Sequence, residues 1–133
     1  MSEDFSHLKI LIVEDQKDAR IMLKAMLTEL GVTQVFEAPN GNEALLFMDA
    51  AFDFVNLIVC DWNMPKMSGI KFLRQIRSVD PGMPFLMITG RSDMSSVMEA
   101  KASGVTAYIR KPFSPIQLEA KLRIITQRTL IPA

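Results

Sequence analysis

Three runs of four unbroken apolar residues constrain this 133-residue chain most: Ile10-Leu11-Ile12-Val13, Leu57-Ile58-Val59-Cys60 and Phe85-Leu86-Met87-Ile88. Each has the length of a strand, and none alternates with polar residues. An alternating strand leaves one face in water, whereas a continuous one is covered on both faces, as in a parallel sheet between helices. Residues 32–37 and 106–109 read as two weaker strands. Helix-period segments separate the strands. Ala19, Met22, Leu23, Met26, Leu27 and Leu30 keep helical spacing up to Gly31, a C-terminal stop. Asn40-x-x-Glu43 opens a second helix through Ala44, Leu45 and Met48. Residues 69–78 turn Ile70, Leu73 and Ile76 inward, and residues 92–103 form a helix closed by Gly104. Ser114-Pro115-Ile116-Gln117 is a capping box with proline at the first helical position of the last helix. Five β-α units in succession predict an α/β fold, a doubly wound five-stranded parallel sheet with right-handed crossovers.

The length argues for one domain spanning 1–133, with a core at about 9–128 and no internal linker or repeat; only five residues follow Arg128. The single cysteine excludes an internal disulfide framework and any multi-cysteine zinc site. The first nine residues include Glu3 and Asp4 and no signal-peptide core, and no run approaches the ~20 apolar residues of a membrane span. The expectation is a cytoplasmic protein with no membrane partner. The formal net charge is zero, from 15 Lys+Arg against 15 Asp+Glu, which argues against a nucleic-acid partner. That zero is unevenly made. Residues 1–66 hold 5 basic and 11 acidic side chains, net −6, and residues 67–133 hold 10 basic and 4 acidic, net +6. Such a split suggests an acidic site and a basic face.

Open parallel sheets bind ligands beyond the carboxyl ends of their strands, where the strand order reverses. The first strand ends in Glu14-Asp15, the third in Asp61, the fourth in Thr89, and the fifth is followed by Lys111-Pro112. The second has no comparable group beyond Glu37, which fits a 2-1-3-4-5 order with strand two at an edge. Singly, Asp15 reads as a helix cap, Thr89 as a β-branched strand residue and Lys111 as a surface lysine. Asp61 is harder to dismiss, because it follows a wholly apolar strand where an unpaired charge is costly. Carboxylates converging on one crevice repel one another, and a divalent cation relieves them; an all-oxygen set suits Mg²⁺. Lysine supplies a point charge for a phosphoryl group and threonine a hydroxyl donor. No Ser, Cys or His stands as a nucleophile, so Asp61 is the natural acceptor in a Mg²⁺-assisted phosphoryl transfer.

Taken together, Glu14-Asp15, Asp61-Trp62-Asn63-Met64-Pro65 with Gly69 following, Thr89-Gly90 and Lys111-Pro112-Phe113 resemble the response-regulator receiver domains, over about residues 9–128. The Asp61 stretch is especially similar to that of the single-domain chemotaxis regulators. The resemblance implies a flavodoxin-like fold and a phosphoprotein of a two-component system that catalyses only its own phosphorylation and dephosphorylation. It implies that Asp61 receives a phosphoryl group from a histidine kinase or histidine phosphotransfer protein. Asp15, Asp61 and the Asn63 backbone carbonyl would hold Mg²⁺, with Glu14 acting through water. Lys111 would pair with the phosphoryl group, Thr89 would be the switch hydroxyl and Tyr108 the switch aromatic. Asn63 and Arg91 would tune phosphoryl lifetime, and the Lys111-Pro112 bond would be cis. Trp62 is expected to be partly exposed, the ten methionines to be mostly packing, Cys60 to be a small core residue and His7 to have no role.

An output protein is expected on the region 92–128, where the segment from residue 90 onward carries 7 basic and 3 acidic side chains. Other readings remain. The chain could be a receiver cut from a longer multidomain regulator. A haloacid-dehalogenase-like phosphatase also uses an aspartate nucleophile, but wants a second acid where Asn63 stands. A flavodoxin-like electron carrier would need a phosphate-binding loop where Glu14-Asp15 repel phosphate. Neither a Walker A loop nor G-x-G-x-x-G is present.

Overall fold

Unbroken apolar strands have to be covered on both faces, and the computed structural model, which describes residues 5–51, 53–90 and 93–129, shows how. The elements run β1 (Lys9–Val13), α1 (Lys17–Glu29), β2 (Gln34–Ala38), α2 (Gly41–Ala51), β3 (Leu57–Asp61), α3 (Gly69–Val79), β4 (Phe85–Thr89), α4 (Met94–Ala102), β5 (Ala107–Arg110) and α5 (Pro115–Thr129). The five strands form one parallel sheet in the order β2-β1-β3-β4-β5, as the strand ends implied. β3 and β4 are buried along their whole length. The edge strands β2 and β5 are only partly covered.

Strand periodicity sorts the side chains into two cores. Ile10, Ile12, Leu57, Val59, Leu86 and Ile88 face one side, where Leu23 and Leu27 of α1 and Leu118, Leu122 and Ile125 of α5 cover them. Leu11, Val13, Ile58, Cys60, Phe85 and Met87 face the other, beneath Ala44 and Met48 of α2, Ile70, Leu73 and Ile76 of α3 and Ala100 of α4. Each such aliphatic side chain, fully buried, contributes on the order of 2 kcal/mol. Phe5 and Leu8 extend the first core, and Asn56 ties their turn down by donating to the His7 carbonyl and accepting from the Lys9 N–H.

Local signals set the helix ends. The expected capping box closes reciprocally, Ser114 N–H to Gln117 Oε1 at 2.8 Å and Gln117 N–H to Ser114 Oγ at 3.2 Å. Asn40 Oδ1 accepts from Glu43 N–H at 2.8 Å. At the end of α1, Gly31 takes φ +102°, its N–H reaches the Thr28 carbonyl, and the Val32 N–H reaches back to Leu27. Those two bonds are a Schellman stop, so Val32 belongs to the end of α1 and β2 begins two residues later than the sequence suggested. The same pair of bonds ends α4 at Gly104 and Val105. α4 is capped by Asp93, whose side chain accepts from the Ser96 N–H; the expected start at Ser92 lies outside the described residues.

Methionine packing holds only in part. Met48, Met67, Met83 and Met87 are buried, but Met22, Met94 and Met98 are exposed. Among the described residues no helix is long and apolar enough to cross a membrane.

Candidate functional site

β1, β3 and β4 end side by side, and the acids after β1 meet the one that ends β3. Glu14 and Asp61 are buried, at 4% and 5% exposure, and Asp15 is half-buried. One carboxylate oxygen from each of Glu14, Asp15 and Asp61 lies within 4.8 Å of the others. The Lys111 ammonium faces two of them, 3.4 Å from Asp61 Oδ2 and 3.6 Å from Glu14 Oε1. Lys111 is fixed from behind by its own N–H, which donates to the Thr89 carbonyl at 2.8 Å, and the Lys111–Pro112 peptide is cis.

Three carboxylates against one lysine leave an excess of negative charge. Glu14 absorbs it: its pKa is pushed from the usual 4.5 to about 7. Burial is the largest cause, followed by a hydrogen bond with Asp15 and the Asp61 charge; the Gln16 N–H and Lys111 pull the other way. The same charges, with complete burial, push the Cys60 thiol well up and keep it a protonated core residue. An all-oxygen set this dense has the donor chemistry of a Mg²⁺ site.

The end of β3 is held from the side of α3. Gly69 donates its N–H to the Trp62 carbonyl at 2.8 Å. A Cβ at Gly69 would strike the Asp61 carbonyl oxygen and lie 2.9 Å from Trp62 Cα, so only glycine permits this approach. Ser68 caps the helix behind it by accepting from the Lys71 N–H.

On the β4–β5 side, Thr89 is 3% exposed and Tyr108 is half-buried. Both line a closely packed cleft with Trp62, Ser96, Val97 and Ala100, with no space in it for a water molecule. Trp62 is therefore not partly exposed, as the sequence suggested it would be. It is 5% exposed and packs with the residues beneath α4, because β3 turns consecutive side chains to opposite faces. Asn63 is exposed in the loop after β3, and Arg91 lies outside the described residues.

Sequence reasoning missed Arg20. It sits in the first turns of α1 with its guanidinium on the loop that carries Glu14 and Asp15. Its signal was only its place, five residues after Asp15, which reads as an ordinary solvated helix position.

The family model for the response regulator receiver domain matches residues 10–123. The chain is 41% identical over 125 residues to the chemotaxis protein CheY-3 of Vibrio cholerae, covering 92% of this chain and 94% of that one. It is 39% identical over 124 residues to the chemotaxis protein CheY of Pseudomonas aeruginosa, covering 91% and 98%. Among solved structures, Vibrio cholerae chemotaxis protein CheY4 superposes with TM-score 0.81 at 32% identity, covering 89% of this chain and 98% of that one. A receiver domain protein from Clostridium thermocellum gives TM-score 0.83 at 28% identity, covering 92% and 98%.

Proposed function

The chain belongs to the response-regulator receiver domain family, and on that premise we propose that Asp61 is its phosphoacceptor and that phosphorylation there switches a partner-binding face. A receiver accepts a phosphoryl group instead of turning over a separate substrate. This one would catalyse only its own phosphorylation and dephosphorylation. Residues 9–128 act as one receiver unit.

The observation that carries this reading is the placement of Asp61. Its carboxylate is buried at the end of the central strand, with Lys111 3.4 Å away and Glu14 and Asp15 beside it. Asp15, Asp61 and the Asn63 carbonyl would hold Mg²⁺, with Glu14 acting through water; the cation neutralises the carboxylates and the phosphoryl oxygens. Asp61 takes the phosphoryl group from a phosphohistidine of a histidine kinase or histidine phosphotransfer protein. Lys111 pairs with the phosphoryl oxygens, and the Thr89 hydroxyl donates to one of them. Thr89 and Tyr108 line one closely packed cleft, so a shift of Thr89 would bear on the tyrosine ring. Asn63 and Arg91, two residues past Asp61 and Thr89 in the sequence, would tune the lifetime of the phosphoryl group.

Incubation with Mg²⁺ and acetyl phosphate, followed by intact mass, tests the centre of this reading. The expected result is a gain of one phosphoryl group that is absent in Asp61→Ala. No gain, or a gain that survives the substitution, overturns it.

The output partner docks on the face made by α4, β5 and α5. Lys101 and Arg110 are exposed there and Arg123 is half-exposed, so the partner presents acidic groups. Reversing Lys101, Arg110 and Arg123 to Glu should weaken binding of the cognate output protein, more at low salt than at high salt. Unchanged affinity in a titration would remove the face from the proposal.

A further inference from the structure

We propose that Arg20 is a positioning residue for the acid cluster. Its guanidinium fixes the backbone of the loop carrying Glu14 and Asp15, and so sets the affinity of the site for its cation. The inference rests on the Mg²⁺ reading of the site.

Within the loop between β1 and α1 the Gln16 N–H donates to Glu14 Oε2 at 3.3 Å, which leaves the loop's carbonyls to be held by other groups. Glu14 spends its N–H on the Ala38 carbonyl at 3.1 Å. Its carbonyl and that of Asp15 lie beyond the end of β1 and ahead of α1, and the N-cap residue Gln16 makes no side-chain cap bond. Arg20 Nη1 supplies the donor, 2.7 Å from the Glu14 carbonyl oxygen and 3.4 Å from that of Asp15. The other edge of the same planar group is anchored: Nε lies 3.5 Å from Glu37 Oε1. Glu37 is held on β2, opposite Ile12. One rigid fork thus joins the acid loop to the neighbouring strand.

The Arg20 side chain is only 18% exposed, so its charge-assisted bond to the Glu14 carbonyl is largely shielded from water. A lysine brings the charge but not the fork, and cannot make both contacts in one plane. Arg20 reaches the carbonyls of the loop, not the three carboxylates. Removing it leaves every oxygen of the donor set in the chain and loosens their spacing.

The test uses the full chain as parent, Arg20→Ala, Arg20→Lys and Glu37→Gln. Mg²⁺ affinity is measured by titration calorimetry, and amide hydrogen exchange is measured without metal. Arg20→Ala should bind Mg²⁺ about 10-fold more weakly, the scale of an outer-shell loss. Its Asp15 and Gln16 amides should exchange faster, with the β3 amides unchanged. Arg20→Lys should recover part of the affinity, and Glu37→Gln should lose less than Arg20→Ala. Parent-like affinity with parent-like exchange in Arg20→Ala overturns the proposal. So does faster exchange spread across the whole sheet, which marks a residue of general stability. A parent that binds no Mg²⁺ overturns the site reading itself; the metal-free exchange pattern then still decides whether Arg20 fixes the loop.

Discussion

The acid-bearing ends of β1 and β3 and the α4–β5 side of the same sheet are packed very differently, although only β4 separates them. β3 is buried throughout, Glu14 and Asp61 are buried, and α3 packs Ile70, Phe72, Leu73 and Ile76 behind the acceptor. α4 buries only Ser96 and Ala100, leaves Met94 and Met98 exposed, and covers a β5 that is itself half-open. α4 is not loose along its length. Arg74 holds its C-terminal end through Glu99 at 3.2 Å and Ser103 at 3.3 Å. Arg77 donates to the Gly104 carbonyl at 2.8 Å and the Thr106 hydroxyl at 3.4 Å. At its other end α4 starts at the Asp93 cap, and its Ser96, Val97 and Ala100 line the cleft with Thr89 and Tyr108. Phosphoryl transfer needs atoms fixed in place. A readout needs an element of low local stability. On the proposed reading the two demands fall one strand apart.

Three experiments press on this contrast. The largest effect is expected from pH. Glu14 has a folded pKa of about 7 against the usual 4.5. Its contribution to stability is therefore full below pH 4.5 and is lost as pH rises through 7, a change on the order of 3 kcal/mol in metal-free protein. Mg²⁺ binds the ionised cluster, so its stabilising effect runs the opposite way. The rise in Tm on adding Mg²⁺ should be larger at pH 8 than at pH 5.5, and Glu14→Gln should flatten the metal-free profile. An equally steep profile in Glu14→Gln would assign the charge strain to another group.

Next come two glycines on opposite sides of the contrast. Gly69→Ala drives a methyl into the Asp61 carbonyl and should cost about 2 kcal/mol, seen as a lower urea midpoint at unchanged slope. Gly90→Ala adds a methyl with nothing within 4 Å and should leave the midpoint where it is. Equal losses would mean that the two sides are equally tight.

The smallest effect belongs to Arg74→Ala. Its ion pair with Glu99 is exposed, so global stability should fall by less than about 1 kcal/mol. Amide exchange should quicken at the C-terminal end of α4 alone. A global loss above that would show that α4 is as firmly built in as α3.

The buried side of this contrast was the legible side. Three unbroken apolar runs locate β1, β3 and β4 to within a residue, because such runs have few other places to go. The charged residues that end them locate Glu14, Asp15 and Asp61, because a parallel sheet brings those ends to one edge. Trp62 was misread because its neighbour is a site residue, while strand alternation sends it to the opposite face. Exposed Met22, Met94 and Met98 obey helical spacing as well as buried ones do; which side of a helix meets the sheet is decided by packing. Arg20 and Arg77 were invisible for a related reason. Their work is to satisfy carbonyls of loops, and loop carbonyls leave no trace in side-chain pattern.

The missing side chain at Gly69 has a directional consequence. The backbone of Asp61 abuts the start of α3 with no compressible side chain between them, and α3 is anchored in the core along its inner face. A push on the acceptor strand from a bulky new group therefore meets a wall on that side. On the proposed reading, the less densely packed direction is across β4, toward Thr89 and the sparsely buried α4. The fixed abutment is made by a single hydrogen atom in place of a methyl.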